Sequence, residues 1–231
     1  MSGKEVSINT ADGVFGGYLA VPAAASGGGI VVIQEIFGVN RFVRAVADGY
    51  AARGYFALAP DLFWRIEPGI VLDDRVEADL NRAFELFGKF DVGLGVKDIQ
   101  AAINHLRGTE GCNKVGAVGY CLGGLLAYLT AARTDVDASV GYYGVNIQQM
   151  LGEAKNIRKP LMLHIAEKDR FVPSAAQKQM IDGLKDNSHV TIHTCPEMDH
   201  AFARAGGEHY DPASAELANS RTATFFRQHL S

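Results

Sequence analysis

The sequence predicts an α/β domain built on a mostly parallel β-sheet with helices on both faces. Three observations carry this expectation. From about residue 29 onward, short apolar runs alternate with segments of helical periodicity. The apolar runs lack the in-out alternation of a half-exposed strand, as expected of strands covered on both faces. Ahead of them, two strand-like runs joined through Asp12-Gly13 read as an antiparallel hairpin at the sheet edge. The chain has 231 residues and 48% hydrophobic content, enough for one sizeable core, so a single domain over residues 1–231 is expected.

The elements follow in order. Glu5–Asn9 and Val14–Val21 are the hairpin strands, and the Ala/Ser/Gly stretch Ala23–Gly29 is a loop. Gly29–Gln34 is the first buried strand. Val39, Phe42, Val43, Val46, Ala47 and Tyr50 recur at three and four, which marks a helix ending near Gly54. Tyr55–Ala59 is a second buried strand, stopped by Pro60. Residues 72–87 and 92–107 read as two helices. Strands at 115–118, 138–142, 161–165 and 190–194 alternate with helices at 122–132, 174–185 and 213–229. In such a sheet, binding sites gather at the carboxyl ends of the strands.

Bulk properties exclude several classes of function. Net charge is −4 and no Lys/Arg-rich run exists, so neither nucleic acid nor an anionic membrane is an expected partner. No apolar run approaches the roughly 18 residues needed to span a bilayer, and Met1 to Asn9 has no signal-peptide pattern. Cys112, Cys121 and Cys195 form no CxxC pair, which argues against both a disulfide framework and a structural zinc site. A cytoplasmic protein is the expectation.

The sharpest motif is Gly119-Tyr120-Cys121-Leu122-Gly123-Gly124, placed after a buried strand and at the start of a helix. It has the form of the nucleophile elbow G-x-S-x-G with cysteine in the serine place. The turn is tight, so side chains at Gly119 and Gly123 would meet neighbouring backbone. The helix N-terminus favours a thiolate, and the backbone N–H of Leu122 can bind the developing oxyanion. A glycine-rich turn holding an inert cysteine is the competing reading. Asp169 and His200 weigh against it, because each follows a predicted strand and so comes to the same rim. The chain order nucleophile, acid, histidine is that of α/β-hydrolases. His200 is then the proton carrier, and Asp169 orients it.

Glu35 follows the strand Gly29–Gln34, in the loop where this fold supplies its second oxyanion donor, here the N–H of Ile36. Position alone leaves it either functional or a helix cap near Asn40. Phe37 and Trp64 fall either at the pocket or in the core, with Phe37 the better pocket candidate because it adjoins Glu35. His164 and His193 read as packed core histidines, and Cys112 and Cys195 receive no role.

Together, Gln-Glu-Ile-Phe-Gly (34–38), Ala-Pro-Asp-Leu-Phe (59–63), Gly-Tyr-Cys-Leu-Gly-Gly (119–124), Gly-Tyr-Tyr-Gly (141–144), Asp-Arg-Phe-Val-Pro (169–173) and His-Ala-Phe-Ala-Arg (200–204) resemble the dienelactone hydrolase family from about residue 5 to the C-terminus. The resemblance implies a hydrolase that opens an unsaturated five-membered lactone with Cys121, Asp169 and His200 as its triad. It also implies that Glu35 interacts with the resting thiol and helps form the thiolate when substrate arrives. Of the two arginines the family uses for the substrate carboxylate, one matches Arg204. The other position holds Leu80, with Arg82 turned about 200° away on the helix, and Phe84 stands where a hydroxyl-bearing aromatic is expected.

The sequence thus predicts an α/β-hydrolase with a mostly parallel sheet, flanking helices and an antiparallel N-terminal hairpin. Its catalytic residues are Cys121, Asp169, His200 and Glu35, its oxyanion donors Ile36 and Leu122, and its substrate contacts Arg204 and Phe37. No metal or organic cofactor is required. The partner is a small lactone or ester, and the protein is a monomer or homodimer. The rivals are a broader carboxylesterase with the same triad and a non-catalytic binding protein of the same fold.

Overall fold

In the computed structural model, residues 3–230 are described. Strands β1 (Lys4–Thr10), β2 (Gly13–Ala20), β3 (Gly28–Ile33), β4 (Phe56–Pro60), β5 (Lys114–Tyr120), β6 (Ala138–Tyr142), β7 (Leu161–Ala166) and β8 (Val190–Cys195) form one sheet. Their order is β1-β2-β4-β3-β5-β6-β7-β8. The β1–β2 hairpin is antiparallel, β2 joins β4 antiparallel, and every pair from β4 to β8 is parallel. The parallel strands therefore all end on one edge.

The helices are α1 (Arg41–Ala51), α2 (Glu77–Lys89), α3 (Val92–Gly108), α4 (Leu122–Arg133), α5 (Ser174–Leu184) and α6 (Pro212–Leu230). Alternation along β3 shows why both faces are covered. Val31 and Ile33 enter a core with Leu86, Ile99, Leu126 and Met180, from α2, α3, α4 and α5. Ile30 and Val32 enter a second core with Val43 and Ala47 of α1 and Phe226 of α6. Such continuous burial is what the unalternating apolar runs encode. No helix among the described residues is long and apolar enough to cross a membrane.

One expectation needs correction, one element has no counterpart in the sequence reading, and one open choice is resolved. The helix expected from residue 72 begins only at Glu77. Asp73 accepts the backbone N–H of Arg75 at 3.0 Å, and its own N–H donates to Asp79 at 2.9 Å, so local side-chain bonds displace the first helical turn. A 3-10 helix, Ile147–Asn156, follows β6 where periodicity gave no signal. Trp64 lies away from the pocket: it stacks on Phe15 with centroids 5.3 Å apart and donates to Asp98 Oδ2 at 2.8 Å. Asp98 is fully buried and also holds Arg65, so Trp64 belongs to a structural cluster.

His164 is a packed core histidine, as its place in β7 suggested. It is fully buried, with Nε2 3.1 Å from Thr222 Oγ1 and Nδ1 unpartnered. Burial, followed by the stacked His193 and by Arg221, lowers its pKa from 6.5 to about 3. The unfolded chain thus binds the extra proton between those values. The associated stability is present above pH 6.5 and is lost as pH falls toward 3. The His164→Asn variant should show a flatter dependence of Tm on pH between 7 and about 4 than the parent, measured by thermal unfolding in matched buffers. Parallel curves would show that His164 is not the titrating group.

Candidate active site

The site is assembled on the strand-end edge. Cys121 is the single residue between β5 and α4, with φ 57° and ψ −116°. A side chain held there costs on the order of 1–3 kcal/mol, so the surroundings must enforce the turn. The two flanking glycines make that possible. A Cβ on Gly119 would lie 1.9 Å from the Gly123 carbonyl oxygen, and one on Gly123 would lie 2.5 Å from that of Ile33. The elbow is pinned further where the Cys121 N–H donates to Tyr142 O at 3.1 Å and its carbonyl accepts from Gly124 at 2.9 Å. The thiol sits at the N-terminus of α4, where the dipole favours negative charge.

Asp169 follows β7 and His200 follows β8, and the structure brings them together as expected. His200 Nδ1 lies 2.8 Å from Asp169 Oδ2, and both residues are buried. Asp169 also accepts the Phe171 N–H at 2.8 Å, which fixes its carboxylate. The imidazole is gripped edge-on by Tyr143 and Phe171, with centroids 5.0 Å and 4.9 Å away. Burial opposes a charge on His200. The negative charge of Cys121 and the hydrogen bonds to Asp169 and Cys121 outweigh it and lift the imidazole to about 10. Cys121 and His200 thus face each other as an acid–base pair.

Glu35 lies just past β3 and is buried at 1% exposure. The expectation that it faces the resting thiol is not what the geometry gives. Its Oε2 accepts from Arg204 Nη1 at 3.1 Å, while Oε1 has no partner among the described residues. A guanidinium is the stronger partner for a carboxylate taken out of water. Burial lifts the Glu35 carboxyl above its ordinary range, while Arg204 and His200 pull it back down. Arg204 reaches a second carboxylate, Asp74, at 3.0 Å, and lies 5.3 Å over the Phe37 ring. Asn40, rather than Glu35, caps α1 by accepting the Val43 N–H.

Above these groups opens a cavity of about 610 Å³. Ile36, Phe37, Cys121, His200 and Arg204 line it. The backbone N–H groups of Ile36 and Leu122 have no acceptor among the described residues and are free to receive an oxyanion. The opposite wall is apolar, made by Leu80, Phe84 and Phe87. Arg82 is on the outer surface, paired with Glu67 and Glu85.

Sequence reasoning did not single out several residues of the site. Tyr143 and Phe171 pack on His200, although both fall inside motifs quoted for other reasons. Asp74, Arg75 and Arg170 line the cavity from loops. Loop residues carry no periodic signal, and only the fold brings them to the rim.

The sheet order, the elbow on its central strand and the helices on both faces define a hydrolase of the α/β-hydrolase fold. The model of the dienelactone hydrolase family matches residues 15–230. A protein of Azospirillum brasilense is 47% identical over 228 residues, covering 95% of each chain. The carboxymethylenebutenolidase of Pseudomonas putida is 40% identical over 222 residues, covering 95% of this chain and 94% of its own. A crystal structure from Klebsiella pneumoniae subsp. pneumoniae, 25% identical, superposes with a TM-score of 0.87 over 98% of both chains. The chain belongs to the dienelactone hydrolase family.

The elbow makes a direct prediction. Gly119→Ala places a methyl group against backbone that cannot withdraw, so stability should fall by about 3 kcal/mol or more, as in severe overpacking. Urea unfolding reads the loss, and the residual folded fraction should show depressed iodoacetamide reactivity at Cys121. Parent-like stability would mean that the strand-to-helix turn is looser than described.

Proposed function

We propose that the protein opens an unsaturated lactone of the carboxymethylenebutenolide type, using Cys121 as nucleophile. The observation that carries this reading is the meeting of Cys121 and His200 in the wall of the cavity, with the hydrogen bond from His200 to the buried Asp169 at 2.8 Å behind them. The family membership and the name of the Pseudomonas putida relative point to the same substrate class. No role is needed for a metal or organic cofactor in this sequence of steps.

The Cys121 thiolate attacks the lactone carbonyl carbon. The N–H groups of Ile36 and Leu122 receive the negative charge that develops on the carbonyl oxygen. Collapse of the tetrahedral intermediate expels the ring oxygen as an enolate, which His200 protonates. His200 then takes a proton from water, and the hydroxide attacks the thioester. The acid product leaves and the thiol is regenerated. Asp169 holds the ring in the tautomer that presents Nε2 to the reacting groups.

Glu35 regulates the charge of this machine. As an anion it is held by Arg204; as a neutral acid it releases that guanidinium. An acidic group on the substrate that reaches Arg204 favours the neutral form, so substrate binding and proton uptake by Glu35 reinforce each other. Phe37 supports the Arg204 guanidinium from below. A neutral ester lacks this coupling, which is what separates the reading from that of a broad carboxylesterase.

Cys121→Ala should abolish turnover of a butenolide and leave the fold intact. Intact mass spectrometry on rapidly quenched wild type should show a thioester adduct that the variant lacks. Undiminished turnover in Cys121→Ala would exclude the mechanism.

Glu35→Gln removes both the charge and the proton-accepting oxygen. Turnover should slow about ten-fold or more, less than the roughly 100-fold or greater loss expected on removing a general base, because His200 remains. Alkylation of Cys121 by iodoacetamide without substrate should be no slower than in the parent, since His200 remains. Unchanged turnover would make Glu35 a structural counter-ion of Arg204 and nothing else.

A further inference from the structure

We infer that Arg170 is an anion anchor at the cavity rim, and that it selects substrates bearing a carboxylate remote from the bond that is cleaved. The inference rests on the proposed lactone-hydrolase reading and adds a specificity-determining residue to it.

The argument starts from a charge balance. Three arginines line the cavity: Arg75, Arg170 and Arg204. Arg75 is held by Asp73 through two hydrogen bonds, at 2.9 and 2.6 Å. Arg204 is shared between Glu35 and Asp74. One guanidinium facing two carboxylates leaves no surplus positive charge while Glu35 is ionised. Arg170 differs. Among the described residues its guanidinium has no carboxylate within salt-bridge distance, and its hydrogen bond goes to His209 Nε2 at 2.7 Å. A guanidinium only donates, so His209 Nε2 accepts in this contact, and no carboxylate pairs directly with the guanidinium.

The fold brings that charge to the cavity wall beside Phe171. Arg170 is the residue after Asp169, and its backbone N–H donates to Asp199 Oδ1 at 3.1 Å. Its guanidinium lies 5.3 Å over the Phe171 ring, whose edge packs on His200. One aromatic ring therefore separates the cation from the catalytic imidazole. His209 also lines the cavity, with Nδ1 3.8 Å from Asp199 Oδ2, so it acts as the positioning residue for the Arg170 side chain. Two carboxylates lie nearby without pairing directly with the guanidinium: Asp199, which feels the Arg170 charge, and Glu208, 3.8 Å from His209 Nε2, whose side chain is 83% exposed and screened by water. Across the cavity, Leu80, Phe84 and Phe87 offer no charge. A ligand with an apolar body and an acidic end fits with the body on that wall and the acid on Arg170. The planar fork of arginine suits a carboxylate in a two-point contact.

Binding can be tested without turnover, in the Cys121→Ala background. The probes are a butenolide carrying an acetic acid side chain and its methyl ester, titrated by calorimetry. The acid should bind about ten-fold or more tightly than the ester, the range of a charge-assisted contact. That preference should shrink as ionic strength rises. Adding Arg170→Gln should remove most of the preference, and Arg170→Lys should retain part of it. Arg170→Glu should reverse it. Equal binding of acid and ester in the Cys121→Ala parent overturns the inference, as does a preference that Arg170→Gln leaves undiminished. Neither result touches the proposed chemistry, which is judged separately by turnover and by the thioester adduct in the wild type.

Discussion

Cys121 keeps its unusual backbone conformation only because α4 lies directly against the ends of the central strands, and the rest of the site depends on that contact. A Cβ at Gly123 would press on the carbonyl oxygens of both Ile33 and Gln34, at 2.5 and 2.6 Å. The same close approach therefore fixes three things together. It sets the thiol at the dipole end of α4, it places the Leu122 N–H beside it, and it holds the chain leaving β3 where Ile36 can supply the second donor. Strain in one residue is offset by packing over two strands and a helix, which is how a costly conformation survives in a folded protein. In the proposed mechanism, the nucleophile and its oxyanion donors therefore belong to one packed unit, and substrate binding need not assemble them.

The electrostatics of the site follow from scarcity of positive charge near that unit. Glu35, Asp74 and Asp169 are the carboxylates closest to the chemistry, and Arg204 and His200 are the cations that answer them. Arg204 cannot fully satisfy both of its partners, and Glu35 keeps one oxygen without a hydrogen bond. A buried carboxylate in that condition is poised between charged and neutral forms. The orphaned oxygen is costly for stability and useful for chemistry, because it is a proton acceptor that nothing else occupies. The buried Tyr143 hydroxyl is likewise unpartnered, and burial, with the charge of Glu35 adding to it, keeps that phenol protonated. The pocket therefore combines an ionisable pair, Cys121 and His200, with a second proton site beneath it.

Much of this was legible in the sequence because the parts obey local rules. Unalternating apolar runs announced a sheet covered on both faces, and Gly119, Cys121 and Gly123 announced the turn between β5 and α4. Placement of Asp169 and His200 after strands was enough to put them on one rim, since parallel strands share a direction. The errors have physical causes. Residues 72–76 have helical spacing, but Asp73 and Asp79 satisfy the backbone in another way. The segment 147–156 is a 3-10 helix, whose three-residue turn leaves no 3.6-residue stripe. Trp64 was left between pocket and core; the buried carboxylate of Asp98, 34 positions away, draws its indole N–H into a structural cluster. Such a partner is visible only once α3 is packed against the loop after β4.

Arg170 marks the limit of motif reading most clearly. Within the sequence it is one residue of a recognisable string, next to Asp169, and nothing in its local pattern distinguishes it from a solvated surface arginine. Its significance comes from a subtraction across the folded site. Arg82 is engaged on the outer surface of α2, Arg75 is neutralised by its own loop, and Arg204 is committed to two carboxylates. Leu80 turns the α2 wall apolar, so a carboxylate entering along that wall finds no partner there. What remains is a guanidinium with no direct carboxylate partner among the described residues, positioned by a ring nitrogen of His209 and the face of Phe171. A cation without a direct ion pair at the rim of the cavity costs little, because its outer side is hydrated. It also attracts an anionic substrate before the substrate reaches Cys121. Charge recognition thus begins at the rim with Arg170, ahead of the proton control exercised deeper in the site by Glu35 and Arg204.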